Sequence, residues 1–169
     1  MGIQDLTRLF DYMYWANCQM WECATALDDR QLSADLGYSI GSIRAQLVHM
    51  VSMDNLWINY LWHNDVEFLT DNHLPTLTKI REEWDALEDE MRDYLSTLTD
   101  ADLEQSITPP FFNMPKLTLG DALLQIVNHA TDHRAQVLAG IHHLGGRTVA
   151  QDYVRYLGQQ PVTMQFYVA

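Results

Sequence analysis

Four stretches of the 169-residue chain space their apolar side chains in alternating steps of three and four, the pattern that keeps one face of an α-helix dry. In the first, Ile3, Leu6, Phe10, Met13, Asn17, Met20, Ala24 and Leu27 form a seam interrupted by a single amide. The second, over about 42–64, follows Ser39–Gly41 and is apolar on most sides, which predicts a deeply buried helix. Gln46, His49, Met53, Leu56, Tyr60 and His63 share one stripe of it. The third, over about 77–98, sets Leu77, Ile80, Trp84, Leu87, Met91, Tyr94 and Leu98 on one face. Its other face carries nearly all the charge and reads as a solvated surface.

The fourth helix is predicted to start at Thr118, because Thr118-Leu-Gly-Asp121 has the form of a capping box with Asp in place of Glu. It is predicted to stop at Gly145-Gly146. The intervening 101–117 holds Pro109-Pro110, Phe111-Phe112 and Pro115, and reads as a long connection or an irregular hairpin. After the glycines, 149–157 reads as a short helix, and the tail "VTMQFYVA" alternates like a strand or a subunit contact. The expectation is an all-α domain: a four-helix bundle over about 3–146 with a long crossover or hairpin-like connection between its third and fourth helices. An extension over 147–169 would carry the short C-terminal helix, with the whole chain, 1–169, forming one domain.

Charge removes several function classes. The formal net charge is −13, and the chain has only two lysines, Lys79 and Lys116. That sign opposes binding to nucleic-acid phosphates or to an anionic membrane surface. No apolar run is long enough to cross a bilayer, and the N-terminus lacks the pattern of a secretory signal, so a cytoplasmic location is expected. Cys18 and Cys23, five positions apart on one helix, point about 140° away from each other, which argues for two reduced thiols.

The candidate chemistry lies in histidines. Leu119, Ala122, Leu123, Ile126, Ala130, Val137, Ile141 and Leu144 define the apolar arc of the fourth helix. His133 falls inside that arc and His129 at its edge, about 40° apart. Two imidazoles at i and i+4 on a core-facing stripe can chelate one ion. The alternative is two core histidines whose nitrogens find hydrogen bonds, since burying them without partners is costly. His49, in mid-helix on an apolar stripe, is the candidate third ligand. His63 lies ~21 Å further along the same helix at ~1.5 Å per residue and suits a capping role. His73 sits beside Pro75 in a loop, and His142 and His143 read as surface residues. Ala130 stands where a zinc peptidase of the H-E-x-x-H type needs its glutamate. No Glu-x-x-His pair, C-x-x-C, G-x-S-x-G or phosphate loop is present.

Taken in order, "YMYWANCQM" (12–20), "SIRAQLVHMVSMDNLWI" (42–58) and "LLQIVNHATDHRAQV" (123–137) resemble the DinB-like family of four-helix bundles, over residues 5–157. The resemblance implies a divalent metal ion, zinc or nickel, held by His49, His129 and His133. It also implies a homodimer, and a reaction that transfers a low-molecular-weight thiol to a small electrophile or isomerises a thiol adduct. Two positions depart from the family pattern: Asp132 where a further histidine is common, and Ala135 where glycine is common.

Three protein nitrogens leave coordination positions open, the mark of a catalytic rather than a structural site. Around them Asp132 and Gln136 are placed to orient an imidazole N–H or to be solvated. Arg134 suits a substrate carboxylate or an ion pair. Asn17 reads as site-lining or as a register-setting core amide, and Trp15, Met53, Trp57 and Tyr60 as pocket or core. Asp54, about 140° from His49 around its helix, reads as an ion-pair or capping group. No residue stands out as a general base. A hydrolase using metal-activated water, and a non-catalytic metal-binding bundle, are the competing readings.

Overall fold

The computed structural model describes residues 1–112 and 116–159, so the tail predicted as a strand or subunit contact lies outside the described residues. Among the described residues six α-helices follow one another: α1 (Ile3–Thr25), α2 (Asp29–Ser33), α3 (Ile43–Ile58), α4 (Leu77–Thr97), α5 (Leu119–His143) and α6 (Tyr153–Gln159). Between α4 and α5 the strands β1 (Ser106–Ile107) and β2 (Leu117–Thr118) pair antiparallel, Ser106 opposite Thr118. The expected hairpin between the last two long helices is therefore present, in its shortest form.

The four long helices close into a bundle in which α1 packs on α5 and α4, and α3 packs on the same two. Side-chain pairs give the directions. Gln46 meets Gln136 and His49 meets His129, so α3 and α5 run antiparallel. Asp11 meets Arg92 and Cys18 meets Arg81, so α1 and α4 are antiparallel too. α1 and α3 are consequently diagonal partners. The seams read from the pattern form the core, with Leu6, Phe10, Met20, Leu56, Ile80, Leu123, Val137 and Ile141 all buried.

Local chemistry sets the helix ends. Thr118 Oγ1 accepts from Asp121 N at 3.1 Å while an Asp121 carboxylate oxygen accepts from Thr118 N at 3.0 Å, completing the capping box that opens α5. At the other end Gly145 takes φ +79°, and Gly145 N and Gly146 N donate back to the carbonyls of His142 and Ile141. That paired closure of the last carbonyls needs a left-handed residue, which glycine supplies without a Cβ clash. The α1 N-terminus is capped from afar, Ile3 N donating to Asp100 at 2.7 Å.

Two features had no signal in the apolar spacing. Asn59–His63 continue α3 as one wide π turn, with Asn64 left-handed at φ 53° behind it. The segment 59–76 then carries the chain back to the start of α3, where Arg44 binds Asp71 and the carbonyl of Leu74. That return lets α4 run beside α3 in the same direction.

Candidate metal centre

His49 projects from α3, and His129 and His133 from one turn-to-turn stripe of α5, into the groove between these two helices. His133 is buried and the other two are half-buried. The ring centroids lie 4.3–5.1 Å apart, and one ligand nitrogen from each ring falls within 4.8 Å of the others. Nε2 of His49 is 3.2 Å from Nε2 of His129. A tetrahedral ion with metal–nitrogen bonds of ~2.0–2.1 Å sets its ligand nitrogens ~3.3 Å apart. The donor set and its spacing therefore fit a divalent cation, and the three histidines can hold one.

The third ring is oriented by a chain of hydrogen bonds that begins at a carboxylate. Asp132, as a carboxylate, accepts a hydrogen bond from Gln136 Nε2 at 3.0 Å. Gln136 then presents Oε1 to Gln46 Nε2 at 3.1 Å. Gln46 in turn presents Oε1 to Nδ1 of His133 at 2.7 Å. Each amide orientation is dictated by the next acceptor, so Nδ1 of His133 carries the proton and Nε2 keeps its lone pair. Outer partners of this kind fix ring and tautomer in histidine metal sites. Gln46 thus belongs to the candidate centre, although the apolar spacing alone marked it only as one position on a buried stripe. A buried amide one turn before His49 was the available signal, since it needs partners.

Electrostatics favour neutral rings. Burial, with the His133 and His49 rings adding to it and Asp132 opposing, brings the His129 pKa down to about 4. Burial first and then His133 lower His49. Burial lowers His133, against the pull of Asp132. Neutral imidazoles are the form that ligates metals.

Not every residue proposed for the site lies at the centre. Asp132 and Gln136 do, through the chain just described. Met53 stands one turn beyond His49 on the same groove, half-buried against the core. Tyr60 sits further along, its hydroxyl accepting from Thr108 N at 3.2 Å and its ring edge-on to Phe111. Trp15 faces away: its Nε1 donates to Gln159 at 2.8 Å and its ring packs on Tyr156, so it holds α6 rather than a ligand. Asn17 and Arg134 belong to the bundle interior, where Arg134 donates to Asn17 Oδ1 at 3.1 Å and to Thr131 Oγ1 at 3.0 Å. The reason for these departures is topological, because α1 lies diagonally across from α3 and its seam faces α4 and α5. Arg134 is 1% exposed, which closes it to a substrate carboxylate. Asp54 is directed to the same interior, beside Trp84 and Arg134, and burial raises its pKa to about 7 against both.

Residues 2–164 match the DinB family. The chain belongs to that family. Protein DinB of Bacillus subtilis (strain 168) is 26% identical over 162 residues, spanning 89% of this chain and 92% of the relative. Among solved structures, a DinB-like protein from Bacillus cereus ATCC 10987 superposes with a TM-score of 0.68 at 17% identity, covering 88% of this chain and 97% of that one. A DinB-like protein from Bacillus subtilis gives 0.61 at 15% identity, with 84% and 95% coverage. At those identities the likeness establishes the fold alone.

Proposed function

We propose that this DinB-family chain is a divalent-cation-dependent enzyme that transfers a low-molecular-weight thiol to a small electrophile, with zinc or nickel held by His49, His129 and His133. The observation that carries the reading is the convergence of three neutral ring nitrogens in a groove that stays half-open. A divalent cation bound there supplies a positive centre that acidifies a bound thiol or water. The protein contributes the rest. His133 is held in one tautomer by Gln46, so its lone pair points into the site at no cost in reorganisation. Burial lowers the pKa of all three rings and so favours the neutral, ligating form.

A hydrolase reading would need a free carboxylate to take a proton from the attacking water. The acidic group nearest the ligands in sequence, Asp132, is exposed and engaged by Gln136, which favours the thiol reading. A homodimer in the cytoplasm is part of the same proposal and rests on the family resemblance read from the sequence. No helix among the described residues is long and apolar enough to cross a membrane.

The test is turnover by the zinc- or nickel-loaded protein with bacillithiol, mycothiol, glutathione or coenzyme A against alkyl halides, epoxides and unsaturated carbonyl compounds. Thiol consumption that disappears in His129→Ala is expected. Ester or amide cleavage without thiol, or no turnover in any combination, would contradict the reading.

A further inference from the structure

The antiparallel register that brings Gln46 to Gln136 and His49 to His129 also sets the end of α3 beside the start of α5. Two turns past His49 on α3 comes Trp57, ~12 Å along the axis at ~1.5 Å per residue. One and two turns before His129 on α5 come Gln125 and Asp121, ~6 and ~12 Å away. Trp57, Gln125 and Asp121, with Leu117 and Phe112, line a half-open cavity of about 220 Å³. Its walls are mainly aromatic and aliphatic: Trp57 is 2% exposed and meets Phe111 edge-on at 5.1 Å and Phe112 at 5.8 Å. Tyr60, in the π turn after α3, accepts from Thr108 N and so holds that residue, between β1 and Pro109, against the end of α3. The two polar groups differ in use. Asp121 is committed to the capping box with Thr118, and its negative charge remains on the rim. Gln125 is exposed and makes no hydrogen bond among the described residues, so its amide is available to a ligand.

From this placement, and resting on the thiol-transfer reading of the histidine centre, we propose that the cavity receives the body of one of the two substrates. The occupant is an uncharged aryl or short alkyl group carried 6–12 Å from the reacting end, with a hydrogen-bonding substituent that meets Gln125. Clefts that enclose a drug-sized ligand run to ~300–1,000 Å³, so about 220 Å³ fits one ring or a short chain. The Asp121 carboxylate excludes an anionic group from the same place, since unlike a neutral ring it would meet a like charge at an apolar wall.

The cobalt-loaded protein, titrated with ω-phenylalkanethiols of increasing chain length, with 2-mercaptoethanol and with the para-carboxylated analogues, reports binding through the sulfur-to-cobalt absorption band. At one chain length the phenyl thiol is expected to bind about ten- to a hundred-fold tighter than 2-mercaptoethanol, the scale of burying one ring. The carboxylated analogue should lose most of that gain. Leu117→Trp, which fills the cavity, and Phe112→Ala, which removes a partly exposed wall, should each bring the ratio back toward unity. A band with every thiol but no gain from the ring, or a gain untouched by Leu117→Trp, would overturn the cavity assignment and leave the metal–thiol reading standing. If no thiol, 2-mercaptoethanol included, gave the band, the metal–thiol reading would fail instead. The cavity is then judged by 2-phenylethanol alone: shifts of the Trp57 indole and Leu117 methyl NMR signals support it, and unmoved signals refute it.

Discussion

Between α3 and α5 three ring nitrogens face one another in a half-open groove, whereas inside the bundle Arg134 and Asn17 turn their hydrogen-bonding groups on each other, with Asp54 beside them. Both clusters interrupt an apolar core, but they are built to opposite ends. The interior cluster is largely closed on itself, and Arg134 also lies over the Tyr12 ring at 5.6 Å. Its leftover capacity is small: Asn17 Nδ2, Trp84 Nε1 and Arg134 Nε have no protein partner. The cavity beside Asn17 and Trp84, about 10 Å³, has room for one water at most. The histidine cluster instead gathers one ring nitrogen from each of three residues within 4.8 Å, two of them on half-buried rings. A buried charge that spends its bonds internally sets register and packing, while donors left converging and unspent make a ligand site. His133 and Arg134 are neighbours in sequence, yet they belong to different clusters because adjacent residues on a helix point about 100° apart.

If that division is right, damage to the interior should be felt as stability. Above pH 7, where Asp54 is ionised, Arg134→Ala removes the neighbouring cation and leaves Asn17 Oδ1 without its donor, and is expected to cost about 3–5 kcal/mol, the scale of leaving a buried charge uncompensated. For a chain of this size that is a fall in Tm of roughly 10 °C or more by thermal denaturation. The double variant Asp54→Leu/Arg134→Met, which removes both charges, should recover most of the loss. A small shift for Arg134→Ala, or no recovery in the double variant, would break the comparison.

The pH dependence of the metal-free protein should separate the clusters by sign. The unfolded chain protonates His129 near 6.5, but the folded one only near 4, so between those values the unfolded state binds more protons and stability falls as pH falls. Asp54 works the other way: folded it holds its proton up to about 7, unfolded only to 3.8, so stability falls as pH rises across that range. Denaturant melts from pH 4 to 8 should show a weaker acid loss in His129→Asn and a steeper one in Asp54→Asn. Parallel curves for the two variants would contradict the assignment.

On the histidine side, Gln46→Leu releases Nδ1 of His133 and should weaken zinc affinity about 10–100-fold in chelator competition, while Gln46→Glu restores an acceptor and most of the affinity. Asp132→Asn, at the exposed end of the chain, keeps an acceptor oxygen for Gln136 and should change affinity by at most about 1 kcal/mol. An Asp132 effect larger than that of Gln46 would reverse the proposed order of the hydrogen-bond chain.

The helical parts of this account were readable one segment at a time. The phases of α1, α3, α4 and α5, the box at Thr118 and Asp121, and the stop at Gly145 all follow from residues within a few turns of each other, and local physics decides them. His129 and His133 were legible for the same reason. The share of Gln46 in the site was not, because its meaning depends on Gln136 ninety positions away and on an antiparallel register that only packing sets. Asp54 looked like an ordinary charge on α3 until α4 and α5 closed around it. The π turn and the return over 59–76 have no apolar period to announce them. Trp15 failed as a pocket residue because its partner, α6, lies beyond the bundle's own pattern.

Counting ions per chain tests the centre most directly. The apoprotein, incubated with excess zinc or nickel and dialysed, should retain one ion per chain by elemental analysis, and His129→Ala should retain none while its helical circular dichroism stays unchanged. Equal metal in both proteins would show that the three histidines are only a packed cluster between two helices.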